Sequence, residues 1–568
     1  MMRRTLLLLT LVALPACDRF FGAPKAPDAG VPDAGPPVLV EKEPNDSAAQ
    51  ALVLSGTATV DANLSADPAR PDSDWYALTA SAPSTVDVEV TPPAGGDVAL
   101  ELVDEAGGVL ASVNAGGVGG VERIPNVDVS ARTYVRVVAT RKGVGGAYTL
   151  RATFQPRAPG YELEPNERKA DATAVGLGQA ISGTVGNPGD IDWYRYELGE
   201  PEAPPEPLLP ADEQDAGAED AGVNPLAEKR VALRIGLSAL EGVATHVQLL
   251  TEAEAVLFEA RSRENGTLSL RNVGVRAADR VVYVAVRSAN KKANPDTSYT
   301  LTVGRENDGD NAELEPNDEL TRATDVPPNS YRDGYLSPKG DVDHFRLVTD
   351  GPSIVSLQVS GVDKVDLVLA VVRPVEGKPD EVVARANEGT SREDEQLTNI
   401  ACDGVCFIRV EAASKKVDGK WVKEDENGDQ PYRLTTTVVP DDGSVERESN
   451  NTAATATPVT LGRAIRGTVF PKKDVDYYAL DLRERPVKTA LVGTVTGLLK
   501  VDVGLYLHRV EDDGKLTLVQ TADGARGEKS EVVRFTAEPG LYVFEVRDAR
   551  NREANFQDSY QLTVDEGD

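Results

Sequence analysis

Histidine and cysteine are nearly missing from this chain, with three of each in 568 residues. His246, His344 and His508 stand far apart, and none lies in an H-E-x-x-H or similar metal motif. There is no G-x-S-x-G turn, no phosphate-binding loop and no G-x-G-x-x-G after a strand. Catalysis has little footing here, and the chain reads as non-enzymatic. Aromatic residues amount to 5%, too few for broad stacking surfaces that take sugars or bases. Basic residues are outnumbered, 60 against 92 acidic, for a net charge of -32. That sign argues against nucleic acid as a partner. It suits divalent cations, basic partners or plain solubility. Past the N-terminus, no stretch approaches the roughly 18 uninterrupted apolar residues of a spanning helix.

The first residues form a processing segment. Met1 to Arg4 are basic at their end, residues 5–14 are apolar, and residues 14–17 read Leu-Pro-Ala-Cys. This resembles the bacterial lipobox. The resemblance implies a signal peptide over 1–16 and a diacylglyceryl (palmitate-type) anchor on Cys17. The chain would then be a lipoprotein exported to the cell envelope, at the outer membrane or cell surface, with the lipid as its membrane attachment. The alternative is a plain secretory signal with an incidental cysteine. Asp18 after the cysteine points to the inner membrane by the enterobacterial sorting rule, which does not hold for all bacteria. Cys402 and Cys406 remain as an even set in an oxidising compartment. A D-G turn between them predicts a disulfide across a hairpin. Two cysteines with no histidine nearby make a poor metal site.

What the chain has in abundance is repetition. Glu41-Lys-Glu-Pro-Asn-Asp46 leads to Asp72-Ser-Asp-Trp-Tyr76, and Glu162-Leu-Glu-Pro-Asn-Glu167 to Asp190-Ile-Asp-Trp-Tyr194. Glu313-Leu-Glu-Pro-Asn-Asp318 leads to Asp341-Val-Asp-His-Phe345, and Glu446-Arg-Glu-Ser-Asn-Asn451 to Asp474-Val-Asp-Tyr-Tyr478. From the second Glu to the first Asp of D-x-D is 29 residues in the first repeat and 26 in the others. A recurring word at a near-fixed offset marks repeated structural units.

Between these words run alternating apolar and polar segments such as Thr85-Val-Asp-Val-Glu-Val90, the pattern of half-buried strands. Each repeat closes on an aromatic-V-x-V segment and then Tyr-x-Leu, at Tyr148, Tyr299, Tyr432 and Tyr560. Seven or eight short strands per repeat predict an all-β chain of four tandem β-sandwiches. The expected domains are 41–157, 158–304, 311–439 and 446–565. Residues 17–40 and the insertion 200–225, rich in Pro, Ala, Asp and Gly, are expected to be a tether and a loop without order of their own.

The repeat resembles the bacterial pre-peptidase C-terminal domain family, which includes collagen-binding domains of clostridial collagenases. The words that carry the likeness are E-x-E-P-N-D, the following G-x-V, D-x-D-W-Y, aromatic-V-x-V and the final Y-x-L, over nearly all of 41–564. The family fold is a jelly-roll-like β-sandwich, and some members hold calcium between the acidic segment and D-x-D. Carried over, the ligands are Glu41, Glu43, Asn45, Asp46, Asp72 and Asp74; Glu162, Glu164, Asn166, Glu167, Asp190 and Asp192; and Glu313, Glu315, Asn317, Asp318, Asp341 and Asp343. The fourth repeat departs from the pattern. It keeps Glu446, Glu448, Asn450, Asp474 and Asp476, but Ser449 replaces Pro and Asn451 replaces the acid, which should weaken that site. Calcium takes six to eight hard oxygens, so the donor set is sensible. The competing reading is that these side chains only cap turns.

Trp75, Trp193, Phe345 and Tyr478 follow D-x-D and are expected in the core. Trp421, in a basic stretch without counterpart, is either a contact residue or a hairpin tip. Together these features suggest a membrane-anchored, multivalent binding array of calcium-stiffened modules for an extracellular polymer or protein. A structural spacer of the envelope, and an accessory or inhibitor of secreted proteases, are the rivals.

Overall fold

The computed structural model describes residues 36–567, apart from 68, 70, 71, 142, 144, 200–229, 277, 307, 308, 310, 486 and 525–527. Cys17, most of the tether and the insertion 200–225 lie outside the described residues. Strands are set by the alternation visible in the sequence. In Ser84–Thr91, Val86, Val88 and Val90 are fully buried while Asp87 and Glu89 face outward, as a period of two requires.

The first sandwich has two five-stranded sheets. One runs Val38–Val40, Ala58–Leu64, Gly146–Pro156, Ser84–Thr91, Glu122–Asp128. The other runs Leu52–Leu54, Ser73–Leu78, Thr133–Ala139, Val98–Val103, Val109–Val113. The next three sandwiches repeat this order without a partner to Val38–Val40, so their first sheet has four strands. The chain is all-β, with jelly-roll-like sandwiches in series. Each encloses its own apolar core: Val60, Tyr76 and Leu100 in the first, Tyr194, Leu249 and Val303 in the second, Phe345, Leu369 and Leu434 in the third, Tyr478, Leu505 and Val564 in the fourth.

Three expectations need correction. Each sandwich has nine or ten strands, because pairings of two or three residues such as Thr324–Asp325 and Leu52–Leu54 add edges that no sequence window resolves. The tether ends early, since Val38–Val40 pairs in parallel with residues 59–61. The disulfide Cys402–Cys406 is present, yet it does not cross a hairpin. Glu395–Cys402 and Val405–Ala412 belong to opposite sheets, so the bond closes the turn that carries the chain between the two layers. Trp421 is 71% exposed on an added hairpin, Ser414–Val417 with Lys420–Lys423.

Candidate metal centre

The strand bearing D-x-D alternates strictly in the second sandwich: Asp192, Tyr194 and Tyr196 point inward, Trp193 and Arg195 outward. The acidic entrance segment lies across the head of this strand, held by one backbone bond in every sandwich. Trp75, Trp193, His344 and Tyr477 donate their N–H to the carbonyls of Asn45, Asn166, Asn317 and Asn450, at 3.0–3.2 Å. The aromatic positions therefore fall in two registers. Tyr76, Tyr194, Phe345 and Tyr478 fill the core, whereas Trp75, Trp193, His344 and Tyr477 stand on the other face of the strand. Phe345 and Tyr478 are fully buried as expected, and Trp75 is buried against Tyr134. Trp193 is only half-buried.

In the second, third and fourth sandwiches the first Glu is anchored by the glycine-bearing strand beside it. Thr184 donates N–H and Oγ1 to Glu162 Oε1 at 2.7 and 2.8 Å, and Tyr194 Oη donates to Oε2 at 3.0 Å. The fourth sandwich repeats this set with Thr468, Tyr478 and Glu446. The tyrosine of the closing Y-x-L donates to the second Asp in all four: Tyr148 to Asp74, Tyr299 to Asp192, Tyr432 to Asp343 and Tyr560 to Asp476, at 2.5–2.6 Å. Sequence reading took these tyrosines as strand residues. Their recurrence was the available signal.

The acids divide into two kinds. The first Asp of D-x-D caps the loop before it: Gly186 N–H donates to Asp190 at 2.6 Å, Ser337 to Asp341 at 2.7 Å and Phe470 to Asp474 at 2.9 Å. That is the turn-capping reading, met at these positions. The second Asp and the Asn are different. Asp74, Asp192 and Asp476 each keep a buried Oδ1 without a hydrogen-bond partner, and so do Asn45, Asn166 and Asn450. In the third sandwich the Asn317 carboxamide, with its Nδ2 turned toward the cluster, donates to Asp343 Oδ1 at 3.1 Å and to the Val342 carbonyl at 3.3 Å.

Glu162, Glu164 and Asp192 place their carboxylate oxygens within 4.8 Å of one another, all buried; Glu313, Glu315 and Asp343 do the same. A second group, Glu315, Asp318 and Asp341, shares Glu315 with the first. The first sandwich has the same two groups, Glu41, Glu43, Asp74 and Glu43, Asp46, Asp72, but only Asp74 is buried.

Burial, then mutual repulsion with Asp190 above all, pushes Glu162 up to about 8 and Glu164 well above the carboxylate range. Glu313, Glu315, Asp341, Asp474 and Asp476 are raised by the same causes. Asp74 is raised to about 8, first by burial. No lysine or arginine stands among the dominant influences on these groups. Each buried, uncompensated carboxylate costs several kcal/mol on the order of magnitude. Protons or a cation must relieve it. Five or six oxygen donors with no nitrogen or sulfur suit a hard divalent ion.

Fold and site together define a series of β-sandwiches with an acidic, oxygen-lined cluster at each entrance. No family model matches the chain, and no curated protein matches it. Among solved structures it is similar to the pre-peptidase C-terminal domain of collagenase from Bacillus anthracis, at 19% identity over 19% of this chain and 93% of that one, TM-score 0.16. It is also similar to the CUB1-EGF-CUB2 domains of rat MASP-1, at 10% identity over 43% and 99% of the two chains, TM-score 0.13. A triple jelly-roll protein of an archaeal virus matches at 9% identity over 59% and 80%, TM-score 0.14.

Proposed function

We propose that the chain is a non-enzymatic, lipid-anchored envelope protein, held to the membrane through Cys17. In this reading it presents four calcium-stiffened sandwiches as a multivalent array to an extracellular polymer or protein. The observation that carries the calcium part is the set of buried oxygens without partners, Asp192 Oδ1 and Asn166 Oδ1 and their counterparts, inside clusters of carboxylates. Calcium would be held by the two Glu, the Asn and the second Asp of each entrance segment, with the first Asp adding the oxygen its loop leaves free. Linked sites on one chain gain avidity from their high effective concentration. The envelope-spacer reading is favoured by the backbone bonds that join successive sandwiches. It needs the stiffening and no ligand.

Thermal unfolding with calcium and with EDTA tests the site. A ligand of the native state raises the midpoint as its concentration passes the dissociation constant. Asp192→Asn keeps an acceptor for Tyr299 and removes one charge. In the second sandwich it should abolish the calcium-induced rise while leaving stability in EDTA equal or higher. No rise for the unaltered chain at millimolar calcium would reduce the acids to turn chemistry and leave the spacer.

A further inference from the structure

Three of the four acidic entrances are covered by the preceding sandwich, each time in the same way. Glu164 donates its N–H to Asn126 O and accepts from Asp128 N–H, at 3.1 and 2.9 Å. Glu315 pairs likewise with Asn272 O and Gly274 N–H at 2.9 and 2.7 Å, and Glu448 with Asn399 O and Ala401 N–H at 2.8 and 3.3 Å. Each pairing is a parallel bridge to the outer strand of the sandwich before. That strand is Glu122–Asp128, Leu268–Arg276 or Glu395–Cys402.

The covering strands share a device. Each carries one extra residue against its neighbour, between Val86 and Val88, Leu233 and Ile235, or Val355 and Leu357 of the partner strand. At each bulge stands an Asn in the left-handed region: Asn126 at φ 53°, Asn272 at 52° and Asn399 at 58°. A bulge turns backbone groups out of the ladder, and here they meet the next entrance. Asn399 also donates Nδ2 to Glu446 Oε1 at 2.8 Å, so a neighbour's amide reaches the acid cluster itself.

The first and fourth sandwiches break the pattern in opposite ways. The fourth sandwich has no bulge: Glu531–Ala537 pairs with Thr489–Val495 in unbroken register, with Arg534 alone where the others have two residues. The first sandwich has the entrance but, among the described residues, no cover. Glu43, Pro44 and Asp46 are exposed, whereas Glu164, Glu315 and Glu448 are buried. Among the described residues no backbone group bonds the N–H or C=O of Glu43. Among the described residues there are thus four acceptor entrances and three bulged donor edges, all three used internally.

We propose that the open entrance of the first sandwich docks a bulged edge strand of another protein. The partner strand would present a C=O and an N–H to Glu43 and a neutral amide to the acids, by the strand-addition mode of recognition. Acid repulsion excludes a carboxylate at the bulge position. A second copy of this chain cannot serve, since among the described residues its bulged edges are occupied and the outer edge of its fourth sandwich is straight.

A truncated chain ending at residue 445 supplies a donor of known structure. It loses the fourth sandwich, exposes the Asn399 edge and keeps three sandwiches with cores of their own. Sedimentation of the full chain, of the truncated chain and of their mixture would be compared at concentrations up to roughly 0.1 mM, the range of weak interfaces. Complexes are expected in the mixture and in the truncated chain alone, which carries both the open entrance and the free edge, with the full chain alone monomeric. Asn399→Asp in the truncated chain should weaken the complex at least tenfold by repulsion. Asn399→Gly, which retains the left-handed backbone, should weaken it less. Thermal unfolding confirms that each variant is folded. No complex between folded partners, or one indifferent to Asn399→Asp, would overturn the proposal. Self-association of the full chain would make a second copy the occupant and overturn it too. So would a complex seen only after removal of residues 18–35, which would make that segment the cover.

Discussion

Gly183 lies where the strand Ala180–Val185 passes over the acid cluster, and a Cβ there would overlap Tyr194 Oη, Glu162 Oε2 and Tyr299 Oη. Gly334 and Gly467 hold the same position in the third and fourth sandwiches. The glycine at this position is thus a requirement of the close approach between strand, tyrosine pair and carboxylate. The first sandwich has Ala62 there, opposite Tyr148. Its Tyr76 Oη stands 3.4 Å from Glu41 Oε2, against 3.0 Å and 2.7 Å for the counterparts in sandwiches two and four. The extra methyl and the looser contact go together. Gly183→Ala should therefore cost about 1–3 kcal/mol, the usual penalty of overpacking. It should also lower the calcium bound per chain by the share of one sandwich. Calorimetric titration beside chemical unfolding reads both; a loss of stability with full calcium stoichiometry would detach the glycine from the site.

At the scale of elements, the turn between Glu395–Cys402 and Val405–Ala412 joins two sheets, and the disulfide closes it over a separation of four residues. A loop so short removes little freedom from the unfolded chain, so losing it costs about 2 kcal/mol or less on the loop-entropy relation. Cys402→Ser with Cys406→Ser should shift only the melting of the third sandwich, as calorimetry with and without reductant would show. A shift in its neighbours would mean that the turn supports the junctions. This element also shows what the sequence could tell. Two β-like runs around Asp403 and Gly404 read as a hairpin because local pattern cannot say that consecutive strands belong to opposite layers. The acids of the site were legible because they recur in fixed words. The tyrosines recur too, but Tyr suits any half-buried strand, so their bond to the second Asp stayed hidden. Asn126, Asn272 and Asn399 were passed over for a related reason. Each is one polar residue in a strand, and its left-handed turn has meaning only against the next sandwich.

For the whole molecule, the junctions and the acid clusters are one structure, since the covering strand buries the carboxylates of the entrance it pairs with. Burial raises Glu162, Glu164, Glu313, Glu315 and Asp476 above their usual range. A carboxyl with a raised folded-state pKa holds its proton longer in the folded chain. Its contribution to stability is then complete below about pH 4 and is lost as pH rises toward 8 and beyond. Without calcium the covered junctions should therefore be firm at pH 5 and strained at pH 8, where ionisation favours uncovering. With calcium, the ion replaces the protons and the junctions should hold at both values. Solution scattering in EDTA should show flexibility increasing from pH 5 to pH 8, with proteolysis appearing at the connections 305–312 and 440–446. Calcium at pH 8 should reverse both. Loosening of equal size at pH 5 would mean that carboxylate charge does not govern the junctions. Firmness at pH 8 in EDTA would mean that the backbone bridges suffice alone, which is the behaviour of a plain spacer.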